Sequence, residues 1–408
     1  MKNLLDGIED VLLMGPGPSC VPPEVYEAIG KKTLGHLDPY FLKIMDELKE
    51  HLRTLLNTNN NLTVPISGTG SAGMEACFVN LVEPGDKVLI LINGVFGVRM
   101  REVASRLGAE VDALEFTWGT PVVVEDVAKK LKEKAYRIVA VVHAETATGV
   151  CNPVEEIGAL LKGSDAIYLV DTVTSLGGIE VRMDDWGIDA LYSGTQKCLS
   201  CPPGLAPLSF SEKAMAKLNG RKTKVPNWYL DISLIAAYWG QNRVYHHTAP
   251  VNMTYALYRA LLLILEEGPE TVFRRHLDNH LLLVKGLEGM GLNMVVEKPW
   301  RLPMLNTAYC PEGLDELAAR RCLKRERRPR VQDPRAPQLQ RGELFAQDEA
   351  KALRRSPRRA FRQDEAASGD TCELVDAQFD RAARGPPILF APDRHAGRCC
   401  LQFDHQYS

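Results

Sequence analysis

No stretch of this chain approaches the roughly 18 consecutive apolar residues of a membrane-spanning helix, which argues against a membrane partner. Charge of one sign is lacking too: 49 basic residues stand against 52 acidic ones, for a net charge of -3. A chain so near neutrality has no overall field to draw it to nucleic acid. A disulfide framework is not suggested. The ten cysteines are scattered through 408 residues, which fits reduced thiols in a cytoplasmic enzyme better than a disulfide framework. Cys198-x-x-Cys201 has no second pair at zinc-site spacing. The first ten residues carry Asp6, Glu9 and Asp10 where a signal or transit peptide would be basic and apolar. What is present is ordinary for a soluble protein, and the length suffices for two domains and a large core.

Strand and helix patterns alternate along the first 170 residues. Pro22-Pro23 opens a helix, and Tyr40 to Leu56 places Phe41, Ile44, Met45, Leu48, Leu52 and Leu55 at helical spacing. Leu62 to Ile66 reads as a strand, Ala72 to Leu81 as a helix and Lys87 to Ile92 as a strand. Val98 to Leu107 and Val124 to Lys134 are helical. Ile138 to Val142 is a buried strand, Val154 to Leu161 a helix, and Ala166 to Asp171 a strand ending in an acid. Such alternation predicts an α/β fold, a mostly parallel sheet covered by helices, with ligands beyond the carboxyl ends of the strands. Ser67, Asn93, His143 and Asp171 fall at such ends and are expected to converge.

Gly68-Thr-Gly70-Ser-Ala-Gly73 stands between a strand and a helix, where backbone N–H groups favour a phosphate. It also matches the dinucleotide fingerprint G-x-G-x-x-G, but the next strand ends in Asn93-Gly94, without the acid that would bind a ribose. A plain phosphate cup remains. Further on, Tyr192-Ser-Gly-Thr-Gln-Lys197 sets one lysine after a small polar run and before Pro202-Pro-Gly204. A lysine and an aspartate at strand edges are what pyridoxal phosphate (PLP) chemistry needs. The amine joins the cofactor aldehyde as a Schiff base, and a carboxylate keeps the pyridine nitrogen protonated. The bland alternative is a solvated loop lysine and a turn aspartate.

The assembled motifs resemble the class V, fold-type I PLP aminotransferases, in the alanine–glyoxylate and serine–pyruvate group, over roughly residues 10–320. The resemblance rests on Gly15-Pro-Gly-Pro-Ser19, Ser67-Gly-Thr-Gly-Ser71, Glu145-Thr-Ala-Thr-Gly149, Val170-Asp171-Thr-Val-Thr-Ser-Leu-Gly-Gly178, Tyr192 to Lys197, Arg221-Lys-Thr-Lys224 and Tyr245-His-His-Thr248. It implies a large domain with a mostly parallel sheet and a small C-terminal α+β domain, divided here as 1–268 and 269–320. Lys197 would hold the cofactor and move the substrate's proton, and Asp171 would face the pyridine nitrogen. Thr69, Gly70 and Ser71, with Gln196, would hold the phosphate. Phe96 would stack on the ring, and Thr146 would bond its hydroxyl. Tyr245 and Thr248 would reach the neighbouring subunit's phosphate, so a homodimer is implied. The substrates implied are a small amino acid, alanine or serine, and a 2-oxo acid such as glyoxylate or pyruvate. A kynurenine-type substrate stays open, and no nucleophilic cysteine stands out for desulfurase chemistry. The adjacent His246 and His247 would point to opposite faces of a strand, which weighs against a metal. Arg221 to Lys224 reads as a solvated charge run.

The pattern stops near residue 321. In the last 88 residues there are 16 arginines, against 13 in the first 320, and Ile388 is the sole isoleucine. Arginine-rich, Pro-broken runs without alternation or helical spacing predict a poorly folding segment over 321–408. The resemblance implies an Arg-Ile-Gly type strand here, whose arginine grips the substrate carboxylate; no match to it is found. The change reads as translation in a shifted frame, with a natural basic tail as the alternative. A PLP-binding protein with little turnover is therefore a second expectation.

Overall fold

The computed structural model describes residues 3–8, 11–311 and 313, and the backbone of Phe390–Ala391 and Cys400–Asp404. After a short helix α1 (Pro23–Ile29), α2 (Pro39–Leu56) shows how local sequence sets an element. The Asp38 side chain accepts the Tyr40 N–H at 2.8 Å and caps the helix, Pro39 fills the first turn, and Asn57, in the left-handed region at φ 49°, ends it. Phe41, Met45, Leu48, Leu52 and Leu55 recur at helical spacing and are buried together. Each such side chain contributes about 1.5–3 kcal/mol by leaving water.

Strand β1 (Leu62–Ser67) leads into α3 (Gly70–Leu81), and β2 (Lys87–Ile92) into α4 (Val95–Arg106). Next come β3 (Glu110–Glu115), α5 (Val124–Glu133), β4 (Ile138–Val142), the small hairpin β5 (Ala144–Glu145) and β6 (Val150–Cys151), α6 (Val154–Leu161) and β7 (Ile167–Asp171). Strands β8 (Ala190–Tyr192) and β9 (Leu205–Phe210) flank the lysine loop and are followed by α7 (Glu212–Asn219), α8 (Ile232–Trp239), α9 (Val251–Glu267) and α10 (Pro269–Gly289). The main sheet runs β1-β9-β8-β7-β4-β2-β3. Only β9 runs against its neighbours, pairing antiparallel with β1 and β8; the other pairings are parallel. Every residue of β4 and β7 is buried, as expected of strands covered on both faces.

A second sheet forms from β10 (Leu305–Tyr309), β11 (Phe390–Ala391) and β12 (Cys400–Asp404), with β12 central and antiparallel to both. Thus two short strands come from the segment expected to lack them, while the rest of 321–408 lies outside the described residues. Beside β10, Leu302, Met304 and Leu305 pack with Ala144 and Cys198. Thr307 Oγ1 donates to Thr148 O at 2.7 Å, so β10 is fastened to the turn after β5.

Candidate active site

Asp171 ends β7 next to Tyr192, its register partner on β8. Partners in a parallel ladder share a face, and the Tyr192 hydroxyl donates to Asp171 Oδ2 at 2.7 Å. The Val173 N–H donates to Oδ1 at 2.8 Å. Burial nonetheless pushes the Asp171 carboxyl up to about 6, against the lowering effects of Tyr192, Val173 and the Lys197 charge. Without a compensating charge it drifts towards neutrality, and a positive charge beside it would restore its ionised form.

Lys197 lies on the loop between β8 and β9, near enough for its charge to act on Asp171. Its Nζ donates to Pro16 O. The lid over it is the Gly15–Ser19 segment, pinned by Ser19 N–H to Gln196 O at 3.0 Å and Ser19 Oγ to Lys197 O at 2.9 Å. A Cβ on Gly17 would fall 2.6 Å from Lys197 Nζ, so glycine is what permits this approach.

Helix α3 opens beside them. Its N-cap residue Thr69 is extended, and its side chain makes no capping bond. Gly70 is buried against Val173: a Cβ there would meet Val173 Cγ2 at 2.9 Å and Ser193 O at 3.5 Å. Gln196 Oε1 is buried without a hydrogen-bond partner. Thr146 Oγ1 and Thr174 Oγ1 share a hydrogen bond of 2.5 Å. Phe96 sits in the first turn of α4, with the Arg99 guanidinium 4.8 Å from its ring centroid.

Other expected residues fall elsewhere. Asn93 and His143 are at strand ends but serve packing. The amides of Asn93 and Asn152 bond each other at 2.8 and 3.1 Å. His143 stands edge-on to Trp186 at 5.5 Å, and burial lowers its pKa to about 4. Residues 244–248 are a loop, not a strand, so the rings of His246 and His247 meet at 4.8 Å instead of pointing apart. No group of three metal-ligating side chains occurs among the described residues. Tyr245 is 54% exposed and its hydroxyl lies 3.3 Å from Thr248 Oγ1, also exposed. Their loop is anchored by His247 Nε2, 3.0 Å from Ser67 Oγ. Arg221, read from sequence as solvated, instead donates to Asn80 O and Val82 O and holds the end of α3. Cys198 Sγ donates to Thr174 O at 3.2 Å, so this thiol is tied into the core.

Sequence reasoning missed Tyr192 and the Pro16 contact of Lys197, because both depend on strand register and chain crossing. No described helix is long and apolar enough to cross a membrane.

A half-buried lysine near a buried aspartate, beside an uncapped helix N-terminus beyond the ends of a mostly parallel sheet, is a PLP-enzyme arrangement. The family model for class-V aminotransferases matches residues 11–299, and the chain belongs to that family. It is therefore an aminotransferase, with pyridoxal phosphate as the family's cofactor. The chain is 39% identical over 330 residues to (S)-ureidoglycine–glyoxylate transaminase of Bacillus subtilis, covering 76% of this chain and 79% of that one. It is 41% identical over 308 residues to alanine–glyoxylate aminotransferase of Drosophila melanogaster, covering 74% and 78%. Among solved structures, alanine–glyoxylate aminotransferase from Nostoc sp. superposes with a TM-score of 0.77 at 47% identity, over 78% of this chain and 85% of that one.

Proposed function

We propose that the protein moves the amino group of a small amino acid, alanine or serine, to glyoxylate or pyruvate, with Lys197 as the catalytic amine and Asp171 as the counter-charge of the cofactor's ring. The observation that carries this is Lys197, in the loop after β8, beside the buried Asp171 carboxyl at the end of β7. The residues present fit the cofactor: the uncapped start of α3 at Thr69, Gly70 and Ser71 suits a phosphate, and the unpartnered Gln196 Oε1 leaves a polar group in need of a partner beside it. PLP, when bound, supplies the electron sink that lets an α-proton be removed. Lys197 takes that proton from the substrate's α-carbon and returns it. Asp171 would keep a proton on the ring nitrogen, Thr146 would hold the ring hydroxyl, and Phe96 would cover one ring face. The exposed Tyr245 and Thr248 are offered to a second subunit's phosphate, which makes the working unit a homodimer.

The test is borohydride reduction of the PLP-loaded protein followed by peptide mapping, with pyruvate formation from alanine and glyoxylate measured alongside. The adduct should map to Lys197, and Lys197→Ala should show neither adduct nor turnover. An adduct on another lysine would end the assignment. A second reading is favoured by the missing carboxylate-binding arginine motif in 321–408: PLP binding with little turnover, in a chain whose C-terminal part has been replaced by a frame shift.

A further inference from the structure

Glu145 ends β5 and is completely buried. Nothing assigned to the site so far uses it, and yet it touches two of its parts. Its Oε1 accepts the Ala147 N–H at 3.0 Å, which closes the turn that carries Thr146. Its Oε2 is buried without a hydrogen-bond partner; the N–H groups of Phe96 and Gly97, in the first turn of α4, are near enough to favour the ionised form but do not bond it. Helix α4 has no cap from its own N-cap residue, Gly94. The carboxylate has moved into the space that a side chain there would need: a Cβ on Gly94 would lie 2.3 Å from both Glu145 Cγ and Cδ. Gly94 has φ 179°, ordinary extended backbone, so the close approach and not the backbone conformation calls for glycine. Glu145 thus packs over the start of α4 from 50 residues away in sequence, while its hydrogen bond goes into the Thr146 turn. Burial pushes its carboxyl up to about 7, against these N–H groups, so the arrangement is held at a cost to stability.

We propose that Glu145 is a positioning residue, a buried carboxylate that clamps the first turn of α4, with Phe96, to the turn after β5, with Thr146, so that the stacking ring and the hydroxyl-binding side chain keep a fixed register towards the cofactor. This rests on the placement of Phe96 and Thr146 at the cofactor ring. The geometry gives each variant a distinct expectation. Glu145→Ala removes the clamp. Glu145→Gln keeps one acceptor oxygen of the same reach. Gly94→Ala leaves the carboxylate in the chain but drives it out of its seat.

The experiment titrates PLP into cofactor-free full-length wild type and the three variants, reading visible absorbance for affinity and induced circular dichroism for the asymmetry of the ring's surroundings. Borohydride mapping and thermal melts accompany it. Wild type should label Lys197. Glu145→Ala and Gly94→Ala should bind PLP on the order of tenfold more weakly, the scale of one lost charge-assisted hydrogen bond, and lose most of the induced dichroism while still labelling Lys197. Glu145→Gln should regain most of that dichroism, a rescue that a general loss of stability would not produce. Should Glu145→Ala fail to fold, Gly94→Ala and Glu145→Gln decide the matter. Wild-type affinity and dichroism in Gly94→Ala and Glu145→Gln alike, with Lys197 labelled, would overturn the clamp. A wild-type adduct on another lysine would overturn the assignment of Lys197 and, with it, the ring position on which the clamp depends; the mapped lysine separates the two failures.

Discussion

Asp171→Asn in the cofactor-free protein should reveal what the site costs the fold. The Asp171 carboxyl rises from an ordinary 3.8 to about 6 because burial disfavours its charge. Folded chains then keep a proton that unfolded chains have released. The contribution to stability is complete below about pH 4 and is lost as pH rises through about 6, a total of about 3 kcal/mol. About 2 kcal/mol of that loss falls between about pH 4.5 and 7.5. Asparagine is never charged and escapes it. It has one oxygen where the carboxylate has two, however, so either Tyr192 or Val173 loses its acceptor, at about 1–3 kcal/mol. The variant should therefore be less stable than wild type at the acid end and equal to it, or more stable, at the neutral end. Urea unfolding of both proteins at the two pH values measures the change. With PLP present the order should reverse, because the ring's positive charge stabilises the ionised aspartate and not the amide, and ligand bound only to folded wild type adds stability by mass action. Transamination by Asp171→Asn should fall steeply. If the stability difference between variant and wild type is the same at both pH values, to within about 1 kcal/mol, the argument from burial is wrong.

Tyr245→Phe combined with Thr248→Ala should weaken PLP binding by about tenfold or more, the scale of one or two phosphate hydrogen bonds, and leave the melting profile of the cofactor-free protein nearly unchanged, since both residues are exposed; mixing this variant with a Lys197→Ala subunit should restore one functional site per mixed dimer, and no restoration would argue against sharing between subunits. A chain whose reading frame is restored after about residue 322 should turn over alanine and glyoxylate on the order of a hundredfold faster than this chain at equal PLP occupancy, because a carboxylate held about 1 Å out of place loses that much; equal turnover would mean that a residue of this chain already binds the carboxylate.

Much of the fold was legible because its central strands are apolar without interruption. Lys87–Ile92, Ile138–Val142 and Ile167–Asp171 announce themselves as buried strands, and each ends where the sequence turns polar. Leu205–Phe210 was not read as a strand. It contains Pro207, and its pairing runs antiparallel in an otherwise parallel sheet. Ala190–Tyr192 is three residues long, too short for a period. Helix α4 begins three residues before its apolar pattern does: its N-cap residue Gly94 carries no capping side chain, and Glu145, which packs against it, lies in no window around Gly94. The two strands that come to β10 from beyond residue 389 had no sequence signal, as their neighbours carry none of the alternation that marks a buried face.

The electrostatic layout also narrows what the site is built to receive. At one end the N-terminus of α3 presents a positive dipole without a side-chain cap. At the other Asp171 and Glu145 are both buried, and burial raises the pKa of each. A simple anion would be drawn to α3 and leave Asp171 uncompensated. A simple cation would relieve Asp171 and leave the helix terminus with water. Only a molecule that is anionic at one end and carries a protonated nitrogen at the other relieves both. Lys197, whose charge acts on Asp171, would add the requirement that the molecule react with an amine. Dinucleotides meet the first condition at their pyrophosphate and fail the last. A phosphorylated pyridine aldehyde meets all three, which is why the same few residues that raise the cost of folding the empty site also define its ligand.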